Sequence, residues 1–183
     1  MTERAEQVHV RMGELALGRS PELLKATLGS CVGIALLWKS RGLYALAHCL
    51  LPCAPVAYPP AGARYVDQAV DAMLQRLQAG PGDCAQIEAH LAGGASMREG
   101  AAGAGRVPLV GALNAEAALR LLQARNIAVH SSDTGGTCAR QMRLDCAAAT
   151  VSVIRVAAPQ GGPQGRHHGL PASGSSPHPP STL

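Results

Sequence analysis

Cys31 and His48 are the two side chains whose types and spacing suit nucleophilic chemistry. The thiolate, not the thiol, attacks a carbonyl carbon, and a neighbouring imidazole can take the thiol proton and stabilise the resulting ion pair near neutral pH. Cys31 follows Gly29 and Ser30, so a tight turn feeds it into an apolar run, and a strand is predicted over 31–38. Leu43 to Leu50 is a second such run. The polar link Lys39-Ser40-Arg41-Gly42 ends in glycine and reads as a four-residue hairpin connection. In that register paired residue numbers sum to 81, so Cys31 faces Leu50 and Gly33 faces His48. Cys31 and His48 are then diagonal neighbours on one face, with alpha carbons roughly 7 to 8 Å apart. A slip of one residue would put them on opposite faces.

From two residues alone the plainer reading stands first: Cys31 as a small buried hydrophobe and His48 as a satisfied core histidine. A zinc site built from Cys31, His48, Cys49 and Cys53 is a further alternative, but the spacing lacks a second matching pair, and no metal or other cofactor is expected.

The composition narrows the function classes. At 183 residues the chain suits one domain with a substantial core. Hydrophobic residues make up 47% but include no phenylalanine, so packing rests on Leu, Val, Ile, Met and close alanine contacts. The net charge of +4 comes from scattered arginines, with one tryptophan and three tyrosines to stack on bases, which disfavours nucleic-acid binding. The polar start MTERAEQ has no signal-peptide character and no run reaches the roughly 18 apolar residues of a membrane span, so a cytoplasmic protein is expected. The six cysteines show no secreted-domain pairing and are read as reduced.

Around the central hairpin the predicted elements run in order. Val8, Val10 and Met12 alternate with polar residues, giving a first strand that resumes at Leu15 and Leu17 after Gly13. Residues 23–26 are open between a short helix capped by Ser20 and an extended path. Pro52 to Gly62 is a proline-rich loop, a candidate rim for a substrate groove. Val66, Ala69, Val70, Met73, Leu74 and Leu77 mark one face of a helix over 65–79 that stops at Gly80-Pro81. Ile87, Ala89 and Leu91 mark a half-buried strand, with His90 on its solvated side, followed by an alanine- and glycine-rich connection over 95–106. Asn114 is read as the N-cap of a helix to about Arg125, closed by Asn126. A strand over 127–130, a turn at Asp133-Thr134-Gly135-Gly136 and strands over 140–145 and 150–156 complete the domain. Strands with two helices between them predict an α+β layered architecture rather than alternating βαβ units. Residues 1–7 are expected to be a flexible N-terminus, 8–157 the domain, and 158–183 a disordered Pro/Gly/Ser/His-rich tail.

The strings LGSCVGIALLW, AHCLLP, RYVDQAVDAML and LAGGASM, and the run from Asn114 through DTGGTCARQMRL to VSVIRV, resemble the chemoreceptor glutamine deamidases, the CheD family of bacterial chemotaxis. The similarity is distributed in order over roughly residues 8–157. It implies a layered α/β fold with mixed or antiparallel sheets, related in site geometry to the cytotoxic necrotizing factor toxins. It also implies chemoreceptor cytoplasmic domains as substrate and the CheC phosphatase as a docking partner. By matching TLGSC it assigns Thr27 to orient His48, with Asp133 as a chemically plausible rival. Two places depart from the family pattern: Ala139 replaces a glycine in GGTCAR, and Ala112-Leu113 replaces a polar pair before Asn114. If the glycine needs a positive φ, Ala139 adds strain.

An amide is a poor electrophile. Its hydrolysis needs a strong nucleophile, oxyanion stabilisation and a proton for departing ammonia. Cys31, the backbone N–H groups around Gly29, Ser30 and Cys31, and His48 are the candidates for these roles, giving conversion of protein glutamine to glutamate. A receptor- or CheC-binding adaptor without catalysis is the alternative.

Overall fold

A computed structural model describes residues 6–55, 62–96 and 110–156. The expected flexible N-terminus (apart from Glu6 and Gln7), most of the proline-rich loop, most of the alanine- and glycine-rich connection and the C-terminal tail lie outside the described residues.

The two apolar runs pair as the central hairpin of a five-stranded sheet. The strand β4 (Val32–Trp38) joins β5 (Leu43–Cys49) through one turn of 3-10 helix at Lys39–Arg41, and Gly42 closes it at φ +61°. The register follows the predicted sum, with Val32 opposite Cys49 and Gly33 opposite His48. Outside this pair lie β2 (Leu15–Gly18) on β5, β6 (Glu88–Gly93) antiparallel to β4, and β7 (Ala128–Thr134) parallel to β6. A second sheet of four strands has the order β1 (Gln7–His9), β3 (Leu23–Leu28), β8 (Ala139–Asp145), β9 (Thr150–Val156). Residues 23–26 therefore take the extended path, held by β8 along the whole of β3.

The side chains of the central sheet alternate between two cores. Val32, Ile34, Leu36, Ala45, Ala47 and Cys49 face the helices α1 (Val66–Leu77) and α2 (Val110–Ala124). Ala35, Leu37, Tyr44 and Leu46 face the second sheet, where they meet Leu24, Leu28, Met142 and Leu144. Helices, central sheet and second sheet thus make three layers, an α+β fold with two mixed sheets. In α1 the six residues expected on one face are all buried, and Gln78 rather than Gly80 takes the left-handed closing conformation at φ +58°.

Several boundaries differ from the sequence reading: the first strand stops at His9 and does not resume in the same sheet, since Leu15–Gly18 joins the five-stranded one, and two other differences bear on the site. α2 begins at Val110, so Asn114 lies one turn inside the helix and not at its cap. β7 continues through Thr134 because Asp133 and Thr134 still pair with Ala92 and Gly93, leaving only Gly135 and Gly136 to turn at φ +79° and +67°. The expected strain at Ala139 does not arise: it is an ordinary strand residue paired with Val156 and has no positive φ.

Candidate active site

Strand alternation turns His48 into the layer between the sheets, the same side of β5 as Leu46 and Tyr44. It is 4% exposed. The segment after β1 makes three hydrogen bonds to it, one to the ring and two to its backbone. The Val10 carbonyl meets Nδ1 at 3.2 Å, Gly13 N–H donates to the His48 carbonyl at 2.8 Å, and His48 N–H donates to the Glu14 carbonyl at 2.9 Å. Val10 in turn donates its own N–H to the Lys25 carbonyl of β3, so one residue links the imidazole to the other sheet. A carbonyl only accepts, so the Val10 contact places the ring proton on Nδ1 and leaves Nε2 with its lone pair. Nε2 is buried and has no hydrogen-bond partner among the described residues. Burial lowers the imidazole pKa below its ordinary value, more than the Val10 carbonyl raises it, and nearby His9 adds to the lowering. The resting group is a neutral imidazole whose acceptor nitrogen is unused among the described residues, the protonation state of a general base.

Cys31 sits in the Leu28–β4 turn, half-buried, next to an exposed Ser30, and packs against the same inter-sheet layer. Gly33, which faces His48 across the ladder, has no side chain of its own; Leu28 and Met142 fill the space over it, 2.7 and 3.0 Å from where a Cβ would stand. Desolvation raises the thiol pKa, partly offset by the Cys31 backbone N–H. No hydrogen bond joins the sulfur to His48 among the described residues, and such contacts are often loose before substrate binds. Cys49 belongs to the opposite, helix-facing core, so the zinc alternative is not assembled; no three His, Cys, Asp or Glu among the described residues are grouped to hold a metal ion.

The turn carrying Cys31 is fixed through its carbonyls. Ala95 N–H donates to Gly29 O at 2.8 Å, Asn114 Nδ2 to Ser30 O at 3.1 Å, and Gly94 N–H to Cys31 O at 2.7 Å. In a trans peptide the C=O of one residue and the N–H of the next point in opposite directions. Holding the Gly29 and Ser30 carbonyls inward therefore turns the Ser30 and Cys31 N–H groups away from these partners, and among the described residues neither donates to another residue, the Cys31 N–H facing only its own sulfur. Donors that serve no other residue are one requirement of an oxyanion site. The Gly29 N–H belongs to the Leu28 peptide, at the end of β3, and these three contacts do not aim it.

Behind the turn, buried Arg140 clamps the Gly-Gly corner. Its guanidinium binds Asp133 at 2.9 and 3.0 Å and donates to the carbonyls of Gly135 and Cys138. The corner then holds the 93–96 segment, through Gly135 N–H to Gly93 O and Ser96 N–H to Gly136 O. Asp133 is thus committed to Arg140, which also lowers its pKa, and is not the group that orients His48. The structure does not bring Thr27 to His48 either. Thr27 is exposed on the outer face of β3, opposite Ala26 and Leu28, and its hydroxyl makes no hydrogen bond among the described residues.

The family profile described as CheD chemotactic sensory transduction matches residues 50–155. A probable chemoreceptor glutamine deamidase CheD of Bdellovibrio bacteriovorus is 39% identical over 136 residues, covering 74% of this chain and 86% of that protein. The chain belongs to the CheD family. Proteins of the same description from Methanococcus vannielii (32% identical, 79% of this chain and 92% of that protein) and Geobacillus kaustophilus (31%, 84% and 94%) extend the similarity across archaea and bacteria. The profile match to CheD starts at Leu50, past Cys31 and His48, so the case for those two side chains rests on the geometry above.

Two CheD site features escaped the sequence reading. The Val10 carbonyl is backbone, which no residue letter announces. Asn114 did leave a signal. It falls on the buried stripe of α2 with Gly111, Ala115, Ala118 and Leu122, and a polar residue on an apolar stripe needs a partner.

Proposed function

We propose that the protein is a chemoreceptor glutamine deamidase in which Cys31 is the nucleophile and His48 the general base and acid. The observation that carries this reading is a neutral His48 whose Nε2 has no hydrogen-bond partner among the described residues, on the same face of the central sheet as a half-exposed Cys31. His48 Nε2 takes the thiol proton as Sγ bonds to the side-chain amide carbon of a protein glutamine. The carbonyl oxygen becomes an oxyanion bound by the Ser30 and Cys31 N–H groups. The C–N bond then breaks, His48 returns the proton to the leaving ammonia, and a thioester remains. Water, deprotonated by His48, attacks the thioester carbon; glutamate and the Cys31 thiol are released.

The names of the relatives support chemoreceptors as the substrate. Their cytoplasmic helices carry the glutamines, so the protein works in the cytoplasm; no helix among the described residues is long and apolar enough to cross a membrane. The family resemblance supports CheC phosphatase as a docking partner that competes with receptor.

Incubation with a receptor cytoplasmic fragment, read by mass spectrometry, gives Gln-to-Glu conversion that Cys31→Ala and His48→Ala abolish. Conversion surviving both substitutions refutes the site. Receptor binding with no conversion by the wild type, and unchanged chemotaxis in a Cys31→Ala strain, favours the adaptor.

A further inference from the structure

We infer that Asn114 is a positioning residue for the oxyanion site, acting through the Ser30–Cys31 peptide; this rests on the deamidase reading above. Asn114 is fully buried in the second turn of α2, and its Nδ2 donates to Ser30 O at 3.1 Å and to Leu50 O at 2.8 Å. Both acceptors are carbonyls, so the amide must present its nitrogen to them and both of its N–H bonds are used. Ser30 precedes the nucleophile and Leu50 lies two residues beyond His48. One side chain therefore ties the cysteine turn to the end of the histidine strand.

Of the three carbonyls that fix the turn, those of Gly29 and Cys31 are held by backbone N–H groups of Ala95 and Gly94. Of the three, the Ser30 carbonyl alone is held by a side chain among the described residues. It is also the carbonyl that shares its peptide with the Cys31 N–H, the donor closest to the attacking sulfur. Rotation of that peptide swings the donor off the oxyanion while leaving the sulfur in place.

The helix is set close enough for this contact. A Cβ on Gly111 would lie 2.5 Å from the Gly94 oxygen and 2.8 Å from that of Ala95, so the first turn of α2 rests directly on the strand end that holds Cys31. Among the described residues the buried Asn114 Oδ1 has no hydrogen-bond partner, so the donors on Nδ2 are what fix the side chain.

The test compares Asn114→Leu, which keeps helix propensity and size and removes both donors, with Asn114→Asp, which keeps the shape and sets a carboxylate against two carbonyls. For both variants kcat for a receptor fragment falls ten- to a hundredfold with KM within twofold, toward the ~10² to 10³ loss seen when an oxyanion donor is removed outright. Alkylation of Cys31 by iodoacetamide forms no oxyanion, so in Asn114→Leu its rate stays within twofold of the wild type. Wild-type kcat in a folded Asn114→Leu protein overturns the inference. So does a kcat that falls in step with alkylation, which marks general collapse of the turn. A wild-type protein that converts no glutamine overturns the deamidase reading instead, and this inference with it.

Discussion

Gly93→Ala tests whether the end of β6 is pressed against the nucleophile turn. Gly93 has φ +100°, and a Cβ there would stand 2.2 Å from the Cys31 carbonyl oxygen, 3.3 Å from its carbon and 3.0 Å from Leu28 Cβ. Opening the first contact even to 3.0 Å moves the two strands apart by about 0.8 Å, and the obstacle is backbone rather than the end of a flexible side chain. The left-handed conformation costs an L-residue about 1 to 2 kcal/mol and overpacking about 1 to 3 kcal/mol. A loss of about 3 kcal/mol corresponds to a fall in Tm of roughly 6 to 12 °C in a domain of this size. Gly42→Ala is the matched control: its φ is +61°, but no atom lies within 4 Å of the added Cβ, so only the backbone cost applies and Tm falls roughly 2 to 8 °C, less than in Gly93→Ala. The displaced carbonyl belongs to the nucleophile itself, and a misplacement of about 1 Å can cost around a hundredfold in rate. Gly93→Ala therefore lowers kcat per folded molecule ten- to a hundredfold at a temperature well below its Tm, while Gly42→Ala leaves it unchanged. Thermal unfolding and the mass-spectrometric deamidation assay read both quantities. Equal Tm shifts for the two variants would refute the close approach, and an unchanged kcat in Gly93→Ala would show that the Cys31 carbonyl does not aim the sulfur.

Thr27→Ala leaves kcat within about twofold, because the bond that sets the His48 tautomer comes from Val10 and the exposed Thr27 hydroxyl makes no hydrogen bond among the described residues; a tenfold loss would restore the role that the family resemblance assigns to it. For pH, the lowered His48 pKa keeps the base neutral down past its ordinary value of about 6.5, so activity holds at pH 6.5 and falls only as pH drops through the lower folded value. Stability follows the same sign: the unfolded chain takes up the His48 proton more readily, so this contribution is fully present above about pH 6.5 and is lost as pH falls through the folded value. The raised thiol pKa makes Cys31 alkylation continue to climb beyond about pH 8.5, whereas a plateau reached below pH 7 would reveal a resting thiolate–imidazolium pair.

What the sequence could and could not reveal follows from how each constraint is written. The β4–β5 register is local: two apolar runs and a glycine-terminated link set it, and the pairing of Gly33 with His48 follows. The apolar face of α1 is equally local, a period of 3.6 residues over 66–77. Asn114 looked like a cap because an asparagine before an alanine-rich run is the usual signal for one, and the preceding Val-Gly-Ala-Leu is a weak helical start. Its actual partners are 84 and 64 residues away, and only the folded chain brings them within reach. The same holds for the Val10 carbonyl, 38 residues from His48.

These misses have a common cause. The reacting atoms are side chains, which the residue letters name, but what aims them is mostly the peptide groups of residues 10–14, 29–31 and 93–96. Peptide groups are the same in every residue except proline, so a sequence can show that a glycine must lie where a chain approaches closely and cannot show which carbonyl it approaches. The informative exceptions are side chains that bind backbone, because they have letters. Asn114 on the Ser30 and Leu50 carbonyls and Arg140 on those of Gly135 and Cys138 are two of them, and both lie fully or almost fully buried at the hubs of the site's support. A buried asparagine or arginine on an apolar stripe is costly unless the backbone it binds must be held, by about 1 to 3 kcal/mol for each group left unpaired. Positions of this kind, more than the cysteine and histidine, distinguish a chain that can aim the reaction from one that only contains the reagents.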